Sequence, residues 1–343
     1  MNELNVVTGA TGLVGSHLML RLAEAGKKIR AVSRESSNRE HVRDIFRYYS
    51  RSADELFDTI EWVNCNLYDH DDVIKATAGA SILYNCAAIV SFQGSEKEVI
   101  IENNVRVAEN IVNACLENSI SKLCHVSSTA AIGCSRNISL VKEDCAWDET
   151  EHHSAYAESK HLSERVIWKG IEAGLKAVIV NPSIIIGPGD WNRSSSQFFS
   201  SISKGMLFYT RGITGYVSID DVVKSMIILS ESRIAGERFL VTAENLTYQE
   251  VFTLIAGAIG ARRPLFFAPP FISYLAMAVS SLISKFSGKK PALTRETLSS
   301  AYSIIRFDNS KIREAIGIEF KPVSMAIRET GTIFRSEGRN RGS

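Results

Sequence analysis

Short apolar runs alternate with longer stretches whose apolar residues recur every three or four positions through the first half of the chain. The runs Leu4–Thr8, Ile29–Ser33, Ile60–Val63, Ile82–Ala87, Leu123–Ser127 and Ala177–Asn181 are apolar at nearly every position and read as strands. Helical spacing fills most of the intervals, most clearly Gly12–Ala25, Glu98–Glu117 and Ala155–Glu172. A strand that is apolar on both faces needs cover on both, so the pattern predicts an α/β fold: a doubly wound parallel sheet between helical layers. The interval 42–59 is long for a connection. Ile45, Phe46, Tyr49, Leu56 and Phe57 recur there at helical spacing, which predicts an inserted helical hairpin packed on the sheet domain.

The alternation loosens after Asn181. Gly187-Pro188-Gly189 is a turn signal, and Ser194–Gly205 has the pattern of a short helix. Tyr216–Ile219, Asp220–Ser230 and Arg238–Val241 read as strand, helix and strand. From Thr247 onward the pattern is mostly helical, broken at Pro264, Pro269 and Pro270. With no repeat or low-complexity linker, the expected organisation is a sheet domain over 1–181 to which 216–241 return. A smaller, mostly helical cap is expected from 182–215 and 242–334, and a polar tail over 335–343.

Composition narrows the function classes. The chain has 343 residues, a formal net charge of +1 and 45% hydrophobic residues, so it lacks the basic footprint of a nucleic-acid partner. Arg335, Arg339 and Arg341 read as a solvated terminus. The cysteines, at 65, 86, 115, 124, 134 and 145, form no C-x-x-C pair, and a strand-like segment opens the chain without a signal-peptide pattern. Reduced thiols in a cytoplasmic protein are expected. His152-His153 reads as a polar loop and no metal is expected. The apolar stretch 271–283 is shorter than the roughly 20 residues that span a bilayer and is interrupted by Ser273, Tyr274, Ser280 and Ser281. It is read as a buried or partner-facing helix, with peripheral membrane contact as the alternative and no integral membrane segment.

Two motifs carry chemistry. Thr8-Gly9-Ala10-Thr11-Gly12-Leu13-Val14-Gly15 closes the first strand and opens the first helix. Glycines at that corner let backbone N–H groups approach a pyrophosphate at the positive helix end. The second strand ends Ser33-Arg34, with no acid where an NAD enzyme would hold a ribose 2′-hydroxyl. A guanidinium suits a 2′-phosphate, so NADP(H) is the favoured cofactor and NAD(H) the alternative.

The other motif is Tyr156-Ala-Glu-Ser-Lys160, whose phenol and ammonium share a helix face at i and i+4. A cation beside a phenol favours the phenolate, and bringing a tyrosine from a pKa near ~10 to about 7 needs roughly 4 kcal/mol. His125-Val-Ser127-Ser128-Thr129 ends the fifth strand, where a parallel sheet presents side chains to a ligand.

Together these residues resemble the extended short-chain dehydrogenases/reductases of the NAD-dependent epimerase/dehydratase superfamily. The spacing of Thr8, Gly9, Gly12 and Gly15 matches that family's fingerprint. The likeness continues through Asn181-Pro182-Ser183-Ile-Ile-Ile-Gly187-Pro188 and Ser218-Ile-Asp220-Asp221-Val222, over roughly residues 4–330. It implies a Rossmann sheet and makes Tyr156, Lys160 and Ser128 the catalytic set, with Thr129 as a fallback for the serine. It adds Asn104, with Asn103 as competitor, as the residue that holds a water leading to the lysine. It implies cofactor contacts from Asn66, Leu67, Cys86, Ala87, Ala88, Asn181, Pro182 and Ser183 besides the glycine loop, Ser33 and Arg34.

Departures point to a branch. The 4,6-dehydratases carry Thr-Asp-Glu where this chain has Ser128-Thr129-Ala130, and epimerases carry Tyr-Gly where it has Ile132-Gly133. Asn181 stands where the family has Arg. The chain is most similar to the dihydroflavonol reductase and 3β-hydroxysteroid dehydrogenase-like branch, although plant flavonoid reductases have a polar residue in place of Gly133. The expected function is NADP(H)-dependent reduction of a ketone or aldehyde of a small, mostly apolar substrate, or oxidation of the alcohol. A nucleotide-sugar epimerase or dehydratase using NAD, and a non-catalytic redox sensor, are the alternatives. Ser91, Phe92, Trp191, Phe198 and Tyr216 are the candidate substrate-lining residues. The resemblance also implies a homodimer through the helices of Asn104 and Tyr156, with Val107, Ile111, Leu162 and Val166 as contacts.

Overall fold

The computed structural model of the chain describes residues 3–88, 97–133, 140–151, 153–274, 277 and 295–340. His152 and most of the apolar stretch 271–283 lie outside the described residues. In chain order the strands are β1 (Leu4–Thr8), β2 (Lys28–Ser33), β3 (Glu61–Asn64), β4 (Ile82–Asn85), β5 (Lys122–Val126), β6 (Leu140–Val141) and β7 (Ala177–Pro182). There follow β8 (Ile184–Ile186), β9 (Phe208–Tyr209), β10 (Ile213–Ser218), β11 (Glu237–Val241), β12 (Glu244–Thr247), β13 (Phe266–Phe267) and β14 (Arg306–Phe307). Seven of them form one parallel sheet in the order β11-β7-β5-β4-β1-β2-β3. This is the doubly wound Rossmann arrangement that the alternation predicts, with the chain reversing direction between β1 and β4.

The near-continuous apolar strands have the expected cause. Val7, Tyr84, Cys124, Val178 and Val180 point into one core, against α1 (Leu13–Glu24) and the later helix Ile219–Glu231. Their alternates Val6, Leu83, Leu123, Ala177 and Ile179 point into a second core on the opposite face. The helices Lys97–Glu117 and Ala155–Glu172 cover that second face. Register aligns the carboxyl ends of the central strands. Thr8 pairs with Asn85, Asn85 with His125, and His125 with Ile179, so one row of side chains crosses the top of the sheet.

The hairpin expected over 42–59 is present as helices Arg39–Tyr49 and Ala53–Asp58. Phe46 is fully buried and meets Phe57 edge to face, with 5.9 Å between ring centroids. Asn38 caps the first of these helices by accepting from the His41 N–H.

The cap has its own core and a small sheet, β12-β10-β8. β10 therefore pairs with cap strands, while β11 adds to the large sheet beside β7. Helix Tyr248–Ile259 starts with a Thr247/Glu250 capping box and stops at Gly260, whose φ of 72° is left-handed. Residues 335–340, expected in a polar tail, instead continue the helix Val323–Asn340. Ala326, Ile327 and Thr330 bury one face of that helix, and Glu337 near its end accepts from Trp191 Nε1 at 2.9 Å. Arg341 lies outside the described residues.

The expected interface contacts are also corrected. Val107 and Ile111 are buried in the second sheet core, where the helix meets the strands, leaving only Leu162 and Val166 of the four partly exposed.

Because Phe46 anchors the hairpin, Phe46→Ala should lower stability by about 3–5 kcal/mol. Urea unfolding followed by circular dichroism checks this, and an unchanged midpoint would mean that the hairpin only decorates the surface.

Candidate active site

The turn between β1 and α1 has no room for side chains at two positions. Gly9 has a φ of 63°, and a Cβ there would lie 2.6 Å from the Ala87 nitrogen and the Cys86 carbonyl carbon. A Cβ on Gly15 would lie 2.4 Å from the Gly9 carbonyl oxygen. The glycines thus bring the loop down onto the end of β4, with Thr11, Gly12, Leu13 and Val14 completing the loop and the first helical turn. α1 begins at Gly12 with no side-chain cap and no acid in its first turn. Its leading N–H groups are free of internal competitors for an anion. A dinucleotide pyrophosphate fits this cradle.

Beneath it runs a buried chain. The Thr8 hydroxyl donates to Asn85 Oδ1 at 2.7 Å, and Asn85 Nδ2 lies 3.0 Å from His125 Nδ1. That order makes Nδ1 of His125 the acceptor and places its proton on Nε2, an atom buried without a partner among the described residues. Burial first, and the Lys160 charge second, push the His125 pKa down to about 3, so the ring stays neutral.

At the end of β2, Ser33 is buried and Arg34 is exposed, and among the described residues the Arg34 guanidinium makes no ion pair or hydrogen bond. A second guanidinium, which sequence reasoning missed, joins them. Arg39 donates to Ser33 Oγ at 3.4 Å and to Asn64, and it lies over the Trp62 ring at 4.9 Å. Arg39 starts the next helix, and nothing in its local pattern sets it apart. Asn66, beyond β3, accepts from the Tyr68 N–H at 3.2 Å, while the Leu67 carbonyl accepts from Asn110 at 2.9 Å.

Ser154 caps the helix Ala155–Glu172 by accepting from the Ala157 N–H, which places Tyr156 in the first turn facing the end of β5. There the Ser128 hydroxyl lies near enough to the Tyr156 phenol to pull its pKa down. Ser128 Oγ is fixed in turn by the Ala130 N–H at 3.2 Å. Lys160, 5% exposed, donates to the Val126 carbonyl at 2.9 Å. Asn104 donates to Ser159 Oγ at 3.2 Å, and Ser159 donates to the Tyr156 carbonyl at 2.9 Å. Ser128, Tyr156 and Lys160 are therefore gathered at the carboxyl end of β5, and Asn104 is linked to the Tyr156 backbone through Ser159.

Their electrostatics differ from the sequence expectation. Burial raises the Tyr156 pKa above its ordinary value, and the Ser128 hydroxyl offsets this only in part. Lys160 does not lower it here, because its ammonium is turned to a backbone carbonyl. Burial also pushes the Lys160 pKa down to about 8, against the opposing pull of Glu164.

That carboxylate belongs to a network missed in the sequence. Glu164, 1% exposed, accepts from Asn181 Nδ2 and from Arg238 Nη1, the latter at 3.2 Å. Asn181 Nδ2 also donates to the Ser128 carbonyl at 2.9 Å. Arg238 is anchored on the Glu143 carbonyl at 2.7 Å, and Glu143 Oε1 accepts from the Leu240 N–H at 2.8 Å. The i+4 step from Lys160 could have singled out Glu164. Arg238 reaches it from a different strand and leaves no local signal.

The substrate-lining candidates fare less well. Trp191 and Tyr216 lie inside the cap core, with Trp191 meeting Phe334 edge to face at 4.9 Å and Tyr216 fully buried. Phe198 is partly buried against Phe252 at 5.4 Å. These rings belong to the cap core, packed with Phe199, Phe252, Ile255 and Ile327. Ser91 and Phe92 lie outside the described residues. Beside the site, the Trp147 ring is held between His153 and His161, at centroid distances of 3.7 and 4.0 Å. A Cβ on Gly133 would lie 2.7 Å from that indole.

A glycine cradle at the sheet's switch point, with a Tyr-Lys-Ser set beside it, defines an NAD(P)-dependent oxidoreductase. Residues 5–241 match the model of the NAD dependent epimerase/dehydratase family, and the chain belongs to that family. It is similar to the sterol demethylase protein B of Methylococcus capsulatus, at 26% identity over 97% of this chain and 98% of that protein. It is also similar to the bifunctional dihydroflavonol 4-reductase/flavanone 4-reductase of Malus domestica, at 26% identity over 74% of this chain and 76% of that one. The crystal structure of gox2253 superposes with a TM-score of 0.80 at 28% identity, covering 98% of this chain and 99% of that one. Within the extended short-chain dehydrogenases/reductases, the chain stands in the dihydroflavonol reductase-like branch.

A cation whose pKa is depressed on folding destabilises the folded state below that pKa, and the cost fades as pH rises towards the unfolded value. Lys160→Met should therefore abolish activity yet raise the thermal midpoint of the cofactor-free protein at pH 7, by up to the order of 3 kcal/mol. The gain should shrink from pH 8 to pH 10, following the Lys160 value of about 8. Scanning calorimetry of both proteins at the two ends of that range is the check, and equal midpoints at pH 7 would contradict it.

Proposed function

We propose that the chain is an NADP(H)-dependent reductase of a ketone or aldehyde on a mostly apolar substrate. The observation that carries the chemistry is the pairing of the buried Tyr156 phenol with the Ser128 hydroxyl, close enough to lower its pKa, with Lys160 one helical turn behind the phenol. Ser128 positions a carbonyl oxygen, and Tyr156 donates the proton that the oxygen takes up. Its raised pKa keeps that proton in place at neutral pH. Asn104 stands on the neighbouring helix to hold a water that returns protons toward Lys160. The nicotinamide dinucleotide, when bound, supplies the reducing equivalent.

The backbone around Gly9, Gly12 and Gly15 would hold its pyrophosphate. Ser33, Arg34 and Arg39 would hold a 2′-phosphate, since Arg39 donates to the Ser33 hydroxyl and Arg34 follows that serine at the strand end. The residues after Ser128 are Thr129 and Ala130, which lack the carboxylates that water elimination from a sugar needs. The relatives named for a sterol and for dihydroflavonols support an apolar ring system as the substrate class.

NADPH should bind at least tenfold more tightly than NADH, about 1.4 kcal/mol, and Arg34→Ala with Arg39→Ala should erase the difference. Calorimetry with both cofactors checks it, and equal affinities in the parent would leave NAD as the cofactor. A screen of apolar ketones and aldehydes that follows NADPH absorbance would supply a substrate. With it, Tyr156→Phe should slow single-turnover reduction by about 10²–10⁴-fold and leave NADPH affinity unchanged. A parental rate in that variant would sink the assignment of Tyr156 as proton donor.

A further inference from the structure

On the cap, β9 and β13 lie side by side as a two-stranded parallel sheet, and the apolar side chains on and beside it are exposed. Leu207, Phe208, Leu265 and Phe266 are each more than half exposed, at 56%, 52%, 61% and 56%. Phe271, Ile272 and Tyr274 continue the surface at 73%, 43% and 41%. Side chains of this kind are ordinary when scattered singly, but here seven lie on or beside two paired strands and in the helical turn that follows. The Leu265 and Phe266 N–H groups both donate to the Leu207 carbonyl, at 3.0 and 3.1 Å. The Phe208 and Phe266 rings lie 6.0 Å apart. Tyr302 donates to the Ala268 carbonyl at 2.7 Å and shares a 2.6 Å hydrogen bond with Ser273, which ties the 271–274 turn to β13.

Charge distinguishes this face from an ordinary apolar patch. Residues 191–219 and 251–295, which supply both strands, contain nine Lys or Arg and no Asp or Glu, although the whole chain has a net charge of only +1. Of these cations Lys204, Arg211, Arg262 and Arg263 are exposed in the segments that flank the two strands. Arg211 lies over the Phe267 ring at 4.6 Å. Two copies of the chain joined through this face would bring these four exposed cations against their counterparts. A surface that offers anions at its rim and hydrocarbon beneath satisfies both halves of the pattern.

We propose that the β9–β13 face binds an anionic phospholipid surface. The aromatic and leucine side chains enter the headgroup region, and Lys204, Arg211, Arg262 and Arg263 pair with phosphates. No helix of the described residues is long and apolar enough to cross a membrane, so the contact is interfacial. The inference uses none of the cofactor-binding or catalytic residues and is independent of the proposed reaction.

The experiment is co-sedimentation of the full chain with vesicles of phosphatidylcholine alone and of phosphatidylcholine mixed with phosphatidylglycerol. The protein should sediment with the mixed vesicles, weakly or not at all with the neutral ones, and less as salt rises. Arg262→Glu with Arg263→Glu, and separately Phe208→Ser with Phe266→Ser and Phe271→Ser, should each weaken binding about tenfold or more. Both variants should keep the parental thermal midpoint and cofactor affinity, since the altered side chains are exposed. Absence of binding to the mixed vesicles overturns the proposal, as does binding that neither set of substitutions weakens. A parental dimer that the serine variant converts to monomer in light scattering would assign the face to a second copy instead. A large fall in the thermal midpoint of that variant would assign it to internal packing.

Discussion

An ammonium group buried at the end of a parallel sheet is the constraint around which the rest of this molecule is arranged. Lys160 has almost no contact with water, and the carbonyl of Val126 is its one hydrogen-bond partner among the described residues. Burying a cation is costly unless compensating charge stands nearby. Glu164 supplies it from the next turn of the same helix, and the neutral state of His125 avoids adding a second cation. A carboxyl group buried this deeply requires donors of its own, which Asn181 and Arg238 provide. The chain of requirements ends on Ser128, whose carbonyl shares the Asn181 amide. The position of the serine that meets Tyr156 is thus set by the same bonds that make the lysine tolerable.

The cofactor cradle follows a different logic, one of missing atoms. Gly9 and Gly15 matter because the turn, the end of β4 and the first turn of α1 come closer than any Cβ allows. The Thr8–Asn85–His125 chain then crosses the strand ends directly below. The cradle is in this way bounded by fixed backbone on one side and by a hydrogen-bonded polar row on the other. A site built so is largely preformed, which limits the reorganisation that binding has to drive.

Much of this was legible in the sequence, for identifiable reasons. Strands covered on both faces must be apolar at every position, so β1, β2, β4, β5 and β7 announce themselves. Three glycines spaced three apart at a strand end mark a turn packed too tightly for side chains. Tyr156 and Lys160 are four residues apart on a helix, so their shared face was certain once the helix was. Their ionisation was not, because it depends on burial that only tertiary structure sets. The two-residue strands β6, β9, β13 and β14 are too short to carry a period. Trp191 and Tyr216 illustrate another limit, since an aromatic that lines a pocket and one that fills a core have the same local pattern. Arg39 and Arg238 act on residues far along the chain, and pairing across such separations is invisible to local spacing.

Arg238 also ties two neighbouring strands to one carboxylate. It reaches Glu164 from β11, while Asn181 reaches the same side chain from β7, the strand beside it. Positions 181 and 238 therefore share one acceptor, and a change at either alters what the other must supply. A comparison that scores the two positions one at a time would miss that dependence.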